Sequence, residues 1–330
     1  MTFTHFQDYA AAIRPALNAV IRSQLKELLT GSEPAQVKLA ENYFAGGKQL
    51  RGALLCLIAE AHGVSRQAAL PRAMAVELIQ AATLVHDDFI DQHHRRRRRP
   101  SLWTLNGARR AVLLGDVVFS SAIYRMSEQG QEDCGIVAKA ISDLSRGAWQ
   151  EPLDSHALLE SGPVDYERII ALKTGILFAA ACELGALAAG LTKPLRRRWR
   201  RYGQRIGEAY QLADDLQELQ QVLARRPQSI EGLVELAPAL LFYIPASRDA
   251  VSQALRSKTL TLDGELWFQL NTVEKIMQEE RERRLQLALA ELAEAIPPGP
   301  LGRLLRRAPW DLLGLFDAES QQTADAGSGD

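Results

Sequence analysis

The sequence predicts an all-α protein: a single-domain helical bundle with a central cavity between two aspartate-rich helices. Three observations lead there. Apolar residues recur at helical spacing along nearly the whole chain, while alternating runs closed by hairpin turns are scarce. Glycines and prolines interrupt the pattern at intervals suited to helix ends. Two acidic clusters of one spacing, Asp87-Asp88-x-x-Asp91 and Asp214-Asp215-x-x-Glu218, are embedded in apolar helical patterns.

Taken in order, the periodicity predicts helices over 5–29, 34–44, 49–62, 66–92, 107–129, 133–150, 164–190, 194–222, 231–256, 258–292 and 300–315. The breaks fall at Gly31-Ser32, Gly46-Gly47, Gly63, Pro100, Gly130, Ser161-Gly162-Pro163, Gly190, Pro227 and Pro297-Pro298-Gly299-Pro300. Asn106-Gly107 sits between two helical patterns and reads as a turn connecting helices. The segment ILFAAACELGALAAGL, 176–191, is apolar on every side and belongs in the middle of a bundle. No internal repeat and no long linker divides the chain, so residues 1–318 are expected to form one domain. The polar, small-residue stretch 319–330 is expected to be a disordered tail.

Composition narrows the function. The hydrophobic share of 47% supports a real core, and the 39 lysines and arginines nearly cancel the 40 aspartates and glutamates. No global field therefore favours nucleic acid or a membrane surface. Positive charge is concentrated locally instead, at Arg95–Arg99 and in the run Arg196–Arg201, which only Trp199 breaks. Reading the first run as a nucleic-acid site would need stacking partners or a groove-reading fold, and neither is evident. The three cysteines, Cys56, Cys134 and Cys182, form no CxxC pair and suit a reducing compartment. No secretory signal and no uncharged run of membrane-spanning length is visible. The expected location is the cytoplasm.

The chemistry centres on QAATLVHDDFIDQHHRRRRRPS, 80–101. On a helix, Asp87 and Asp91 share a face with Leu84 and Gln80 above them. An acidic helix end followed by guanidinium groups suits a ligand with many negative oxygens, held by metal ions and arginine. A single acidic cluster could equally be a solvated helix face. In QLADDLQE, 211–218, the same spacing recurs, with Gln211 on the face of Asp215 and Glu218. Six carboxylates in one cavity would repel and partly protonate without cations to offset them. Magnesium, a hard ion that shares its shell with substrate phosphate oxygens, is the natural cation.

Two further segments add positive charge. In GGKQLRG, 46–52, Lys48 and Arg51 lie one turn apart at the start of a helix, where free N–H groups favour phosphate. Read blandly, this is a loop before an ordinary basic first turn. Lys173-Thr174 interrupts the apolar run IIALKTGILFAAA, where a lysine either snorkels to the surface or meets an anion.

These segments, in this order and spacing, resemble the trans-isoprenyl diphosphate synthases, also called the polyprenyl synthetase family. The resemblance runs from Gly46 to Glu218 through GGKQLRG, Gln80 ahead of DDFID, Arg96-Arg97, Pro100-Ser101, Gly115-Asp116, KTGILFAAACELGA and YQLADDLQE. It implies the isoprenoid synthase type of all-α fold and a homodimer. It also implies binding of isopentenyl diphosphate by Lys48, Arg51, Gln80 and Arg97. Arg96, Lys173, Thr174 and Gln211 would contact the allylic diphosphate. Asp87, Asp88, Asp91, Asp214, Asp215 and Glu218 would hold magnesium on it, as three ions. The implied chemistry is ionisation, condensation and elimination.

The chain departs from the family in three places. Glu218 stands where aspartate is usual. Arg98 replaces a usual glycine, with Arg95 and Arg99 as extra charges. The segment RRPQSIEGLVELAP, 225–238, carries Leu233 where the family has a lysine, and Arg225 or Arg226 is the nearest substitute for an earlier one. Two alternatives therefore stand beside elongation: a terpene synthase or irregular coupling enzyme on this fold, and a weakly catalytic or regulatory subunit of a hetero-oligomer. The second diphosphate pocket argues against the first of these. Ala82 and Thr83, small residues one turn before the first cluster, leave room for products longer than about fifteen carbons at about 5 Å per helical turn, with Phe119 as a deeper floor.

Overall fold

The computed structural model describes residues 3–96, 99–150, 165–225, 231–257, 264–292 and 294–326. Its helices are α1 (Phe6–Leu28), α2 (Pro34–Phe44), α3 (Leu50–Ala61), α4 (Arg66–Ile90), α5 (Leu102–Asn106), α6 (Ala108–Gln129), α7 (Gln131–Gln150), α8 (Tyr166–Ile170), α9 (Ile176–Ala188), α10 (Lys193–Arg225), α11 (Glu231–Tyr243), α12 (Arg248–Ser257), α13 (Gly264–Leu292) and α14 (Pro300–Ala326). Two-residue strands, Arg95–Arg96 and Arg99–Pro100, pair antiparallel across the arginine run. The all-α expectation holds.

Contacts divide the chain into two compact units. The first comprises 1–143, 177–203 and 291–308; the second comprises 144–176, 204–290 and 309–330. In the first, α1 buries Phe6, Tyr9, Ile13, Leu17, Ile21 and Leu25, a stripe at helical spacing. Every residue of α3 from Gly52 to Ala59 is buried, and so is the run Leu177–Cys182 of α9, as its all-round apolarity requires. Gly185 allows the close approach: a β-carbon there would lie 2.7 Å from the Leu55 carbonyl oxygen. In the second unit, Tyr166, Ile170, Leu212, Leu216, Leu219, Leu240, Leu270, Val273 and Met277 form the core.

Several elements differ from the sequence expectation for physical reasons. The expected helix over 164–190 is split by a π-helical turn at Ala171–Gly175, inserted around Lys173-Thr174. The expected helix over 231–256 breaks at a 3-10 turn, Pro245–Ser247, because proline there has no N–H for the helical ladder. The last helix runs through Ala326, into the stretch where a disordered tail is expected from 319. Two helical stretches, Arg66–Ile90 and Tyr166–Ala188, are long and apolar enough to cross a membrane by length and composition alone, although each carries charges, such as Glu77 and Lys173, within its apolar run. Their apolar windows are 67% and 72% buried within the protein, as suits core helices. All three cysteines are free, with Cys56 and Cys182 buried.

Candidate functional site

In the first unit, α4 begins at an N-cap, Ser65, whose side chain accepts from the Ala68 N–H, and ends with Asp91 as C-cap. Gln92 then adopts a left-handed conformation (φ +54°), turning the chain into the two-stranded hairpin. That turn returns Arg96 to the helix end, where its Nε donates to Asp88 Oδ1 at 2.6 Å. The Tyr43 hydroxyl donates to Asp88 Oδ2 at 2.8 Å. Asp88 is 1% exposed, and a buried carboxylate needs such donors. Asp87 is half-buried and Asp91 exposed.

Above the cluster, Thr83 donates its hydroxyl to the Gln80 carbonyl at 2.8 Å. Gln80 and Thr83 are half-buried, and Ala82 is fully buried. Phe119 meets the His86 ring edge-on at 5.4 Å. His86 Nε2 also lies 3.1 Å from the Val112 carbonyl oxygen and 3.5 Å from Asp116 Oδ1. A β-carbon on Gly115 would stand 2.2 Å from that nitrogen. The Gly115-Asp116 pair therefore seats the histidine that precedes Asp87.

The GGKQLRG loop enters α3 through Gly47 (φ +113°) and Gln49 (φ +52°). A non-glycine residue in the left-handed region stores backbone strain, the kind found at binding loops. Side chains hold it there. Gln49 Nε2 donates to Asn18 Oδ1 at 2.6 Å, Arg14 donates to the Lys48 carbonyl at 3.4 Å, and the Gly52 N–H donates to Glu77 Oε1 at 2.6 Å. Lys48 and Arg51 are half-buried. The Arg51 guanidinium stacks over the Phe178 ring, 4.4 Å from its centroid. Arg97 lies outside the described residues.

In the second unit, α8 starts at Asp165, whose side chain caps the Arg168 N–H. The π-helical turn that follows presents Lys173 at the surface and buries Thr174. Extra-residue turns of this kind occur often at functional sites. Thr174 Oγ1 donates to Gln211 Oε1 at 2.5 Å, and Gln211 Nε2 donates to Asp215 Oδ1 at 2.9 Å. The Tyr166 hydroxyl donates to Asp215 Oδ2. Burial raises the Asp215 carboxyl to about 6. The Tyr166 and Gln211 hydrogen bonds oppose that rise, the Asp214 charge adds to it, and Lys173 opposes it. Burial and the neighbouring Asp215 hold the Tyr166 phenol well above its ordinary value. Asp214 is exposed and Glu218 half-buried.

The structure therefore joins Asp88 to Arg96, and Thr174 to Gln211 and Asp215. The sequence reading missed Tyr43 and Tyr166. Each gives a hydroxyl to the second aspartate of a cluster, from 45 and 49 residues away, and no local pattern marks either. Arg284 was missed too. It is 1% exposed and bonded to Glu208, Glu167 and Glu280. The second arginine run is structural: Arg196 pairs with Glu132, Arg200 with Glu183 and Arg201 with Glu291. Among the described residues, no group of three or more His, Cys, Asp or Glu is placed to hold a metal ion by protein ligands alone.

Comparison with known proteins adds three findings. Residues 34–224 match the family model for polyprenyl synthetase. Over 207 residues the chain is 32% identical to a geranylgeranyl diphosphate synthase of Methanosarcina mazei, covering 60% of this chain and 64% of that one. Over 215 residues it is 33% identical to heptaprenyl diphosphate synthase component 2 of Geobacillus stearothermophilus, covering 65% of each. Both matches fall short of two thirds of the relative's length. The crystal structure of a decaprenyl diphosphate synthase from Rhodobacter capsulatus superposes with a TM-score of 0.75 at 23% identity, over 94% of this chain and 99% of that one, and so shares the fold.

Proposed function

The chain belongs to the polyprenyl synthetase family, and from that premise we propose that it is a magnesium-dependent prenyltransferase. It condenses isopentenyl diphosphate with an allylic diphosphate to give an all-trans polyprenyl diphosphate longer than about fifteen carbons, given about 5 Å of room per helical turn alongside Ala82 and Thr83, before Asp87. The observation that carries this reading is the common construction of the two acidic clusters. In each, the second aspartate accepts one tyrosine hydroxyl and one side-chain nitrogen donor: Tyr43 and Arg96 at Asp88, Tyr166 and Gln211 at Asp215. Two helix segments far apart in the chain, built alike, point to one task.

The donor set suits magnesium, because every candidate ligand is a hard carboxylate oxygen. Asp87, Asp88, Asp91, Asp214, Asp215 and Glu218 would hold it, three ions in all, with Asp88 and Asp215 oriented by the tyrosine and nitrogen donors just named. When bound, the metal would supply positive charge against a leaving diphosphate. Lys48, Arg51, Gln80 and Arg97 bind the diphosphate of isopentenyl diphosphate. Arg96, Lys173, Thr174 and Gln211 hold the allylic diphosphate. Their charges and hydrogen bonds favour the state in which the allylic C–O bond has broken and its electron pair rests on the diphosphate. The double bond of isopentenyl diphosphate then attacks the allylic carbon. The proton lost in closing the new double bond passes to the departed diphosphate. We infer a cytoplasmic homodimer that uses no nucleic acid and no membrane-spanning segment. Leu113, Val117 and Tyr124, exposed along α6, support association between copies.

One observation favours a second reading, a weakly catalytic subunit of a hetero-oligomer. Leu233 replaces a family lysine, and one relative is named as a component. One experiment separates the readings: pure protein with isopentenyl diphosphate, allylic diphosphates of several lengths, and magnesium or EDTA. Elongation that stops with EDTA and falls at least about a hundredfold in Asp87→Ala or Asp214→Ala supports the first. Turnover only after a partner is added supports the second. Cyclised products alone would overturn both.

A further inference from the structure

The second unit contains a charge network around a buried arginine that the proposed chemistry leaves unused; of its three carboxylates Glu208 is buried, Glu280 half-buried and Glu167 exposed. Arg284, on α13, is 1% exposed. Its Nη1 donates to Glu208 Oε2 at 2.5 Å, its Nη2 to Glu167 Oε1 at 2.9 Å and its Nε to Glu280 Oε1 at 2.9 Å. Three carboxylates around one guanidinium more than satisfy its charge, so Arg284 is not a spare cation for a ligand. What it does is tie three segments together. Glu280 belongs to its own helix, Glu208 to α10, and Glu167 to α8 beside Tyr166.

From Glu208 the network continues toward the π-helical turn. Glu208 Oε1 accepts from Gln204 Nε2 at 3.0 Å, and the same nitrogen donates to the Ala171 carbonyl at 3.1 Å, at the first residue of that turn. The Ala171 carbonyl also accepts the N–H of Ile176, the bond that makes the turn a π-helix. Gly175, at the far end of the turn, lies so close to Gln204 that a β-carbon would stand 2.3 Å from Nε2. Arg284 thus reaches both ends of the segment: α8, which carries Tyr166, directly through Glu167, and the turn, which carries Lys173 and Thr174, through Glu208 and Gln204.

We propose that Arg284 is a positioning residue: through Glu167 and Glu208 it clamps α8 and the π-helical turn onto α10, fixing Tyr166, Lys173 and Thr174 relative to Gln211 and Asp215. The clamp rests on geometry alone. Its catalytic consequence rests on the reading that Lys173 and Thr174 hold the allylic diphosphate. Lysine at 284 keeps the charge but lacks the planar fork that meets several carboxylates at once. Methionine leaves the buried Glu208 carboxylate facing the half-buried Glu280 with no cation between them, which endangers folding. Arg284→Met with Glu208→Gln lowers that repulsion and provides a second foldable variant.

The test uses the full chain and two readouts. Backbone amide exchange within 166–176 should quicken at least about tenfold in Arg284→Lys and in the double variant, with α10 and α13 little changed. The KM for the allylic diphosphate should rise about tenfold to a hundredfold while that for isopentenyl diphosphate stays within about twofold, as misplacement of one binding group predicts. Arg283→Ala, at an exposed neighbour that also pairs with Glu280, should move neither. Exchange unchanged within 166–176, or both KM values rising together, would overturn the proposal. If the wild-type chain transfers no prenyl group, the prenyltransferase reading fails, and the exchange data still decide the clamp.

Discussion

Tyr166→Phe removes one hydroxyl and leaves the ring that fills the core, since Tyr166 is 3% exposed and packs edge-on to Tyr243 at 5.8 Å. No cavity opens, so the change isolates the bond to Asp215. A hydrogen bond to a charged group contributes about 1.5–3 kcal/mol, and one to a neutral group about 0.5–1.5 kcal/mol. The pH dependence follows from Asp215, which burial raises from 3.8 to about 6 in the folded chain. A carboxyl raised in this way contributes most to stability below its unfolded value, near pH 4, and loses that contribution as pH rises through about 6. Near pH 4 the Tyr166 hydroxyl therefore meets a protonated partner, and near pH 7.5 an ionised one. The variant should lose about 1 kcal/mol at the lower pH and about 2–3 kcal/mol at the higher. Losing this donor also moves the Asp215 midpoint above about 6, because the tyrosine opposes the rise. Thermal unfolding of wild type, Tyr166→Phe and Asp215→Asn in EDTA at the two pH values measures this. A destabilisation equal at both pH values, or one that persists unchanged in the Asp215→Asn background, would refute the reasoning.

Two other outcomes follow from the first unit. Gly115→Ala places a methyl group 2.2 Å from His86 Nε2, and such overpacking costs about 1–3 kcal/mol. Its unfolding temperature should fall and magnesium-dependent turnover should drop with it, since His86 adjoins Asp87; an unaltered melting curve would show that the histidine moves aside freely. Thr83→Phe fills the space one turn before Asp87, and mass spectrometry of the products should show shorter chains. An unchanged product distribution would locate the length limit elsewhere, with Phe119 the next position to vary.

Much of this protein is legible in the sequence because the signals are local. A 3.6-residue apolar period is written within a dozen residues, so α1, α3, α4 and α6 fall close to their expected spans. The glycine breaks are local too: Gly63 and Gly190 follow helix ends with φ of +87° and +66°, values a β-carbon disfavours. The two acidic clusters need only their own spacing and apolar flanks to be seen. The π-helical turn could not be read the same way. Its extra residue leaves the composition of 164–190 unchanged, and its bonds to Gln204 and Gln211 come from α10, more than 30 residues on.

By itself, the sequence determined the helical class, the family, and which carboxylates and cations are candidates for the chemistry. Only the tertiary structure decided which of those groups are held, and by what. Tyr43 reaches Asp88 across 45 residues, Tyr166 reaches Asp215 across 49, and Arg284 reaches Glu167 across 117. The physical reason is one of range. Helix formation is governed by neighbours within a turn or two, whereas a buried carboxylate takes its donors from whichever helix packs against it.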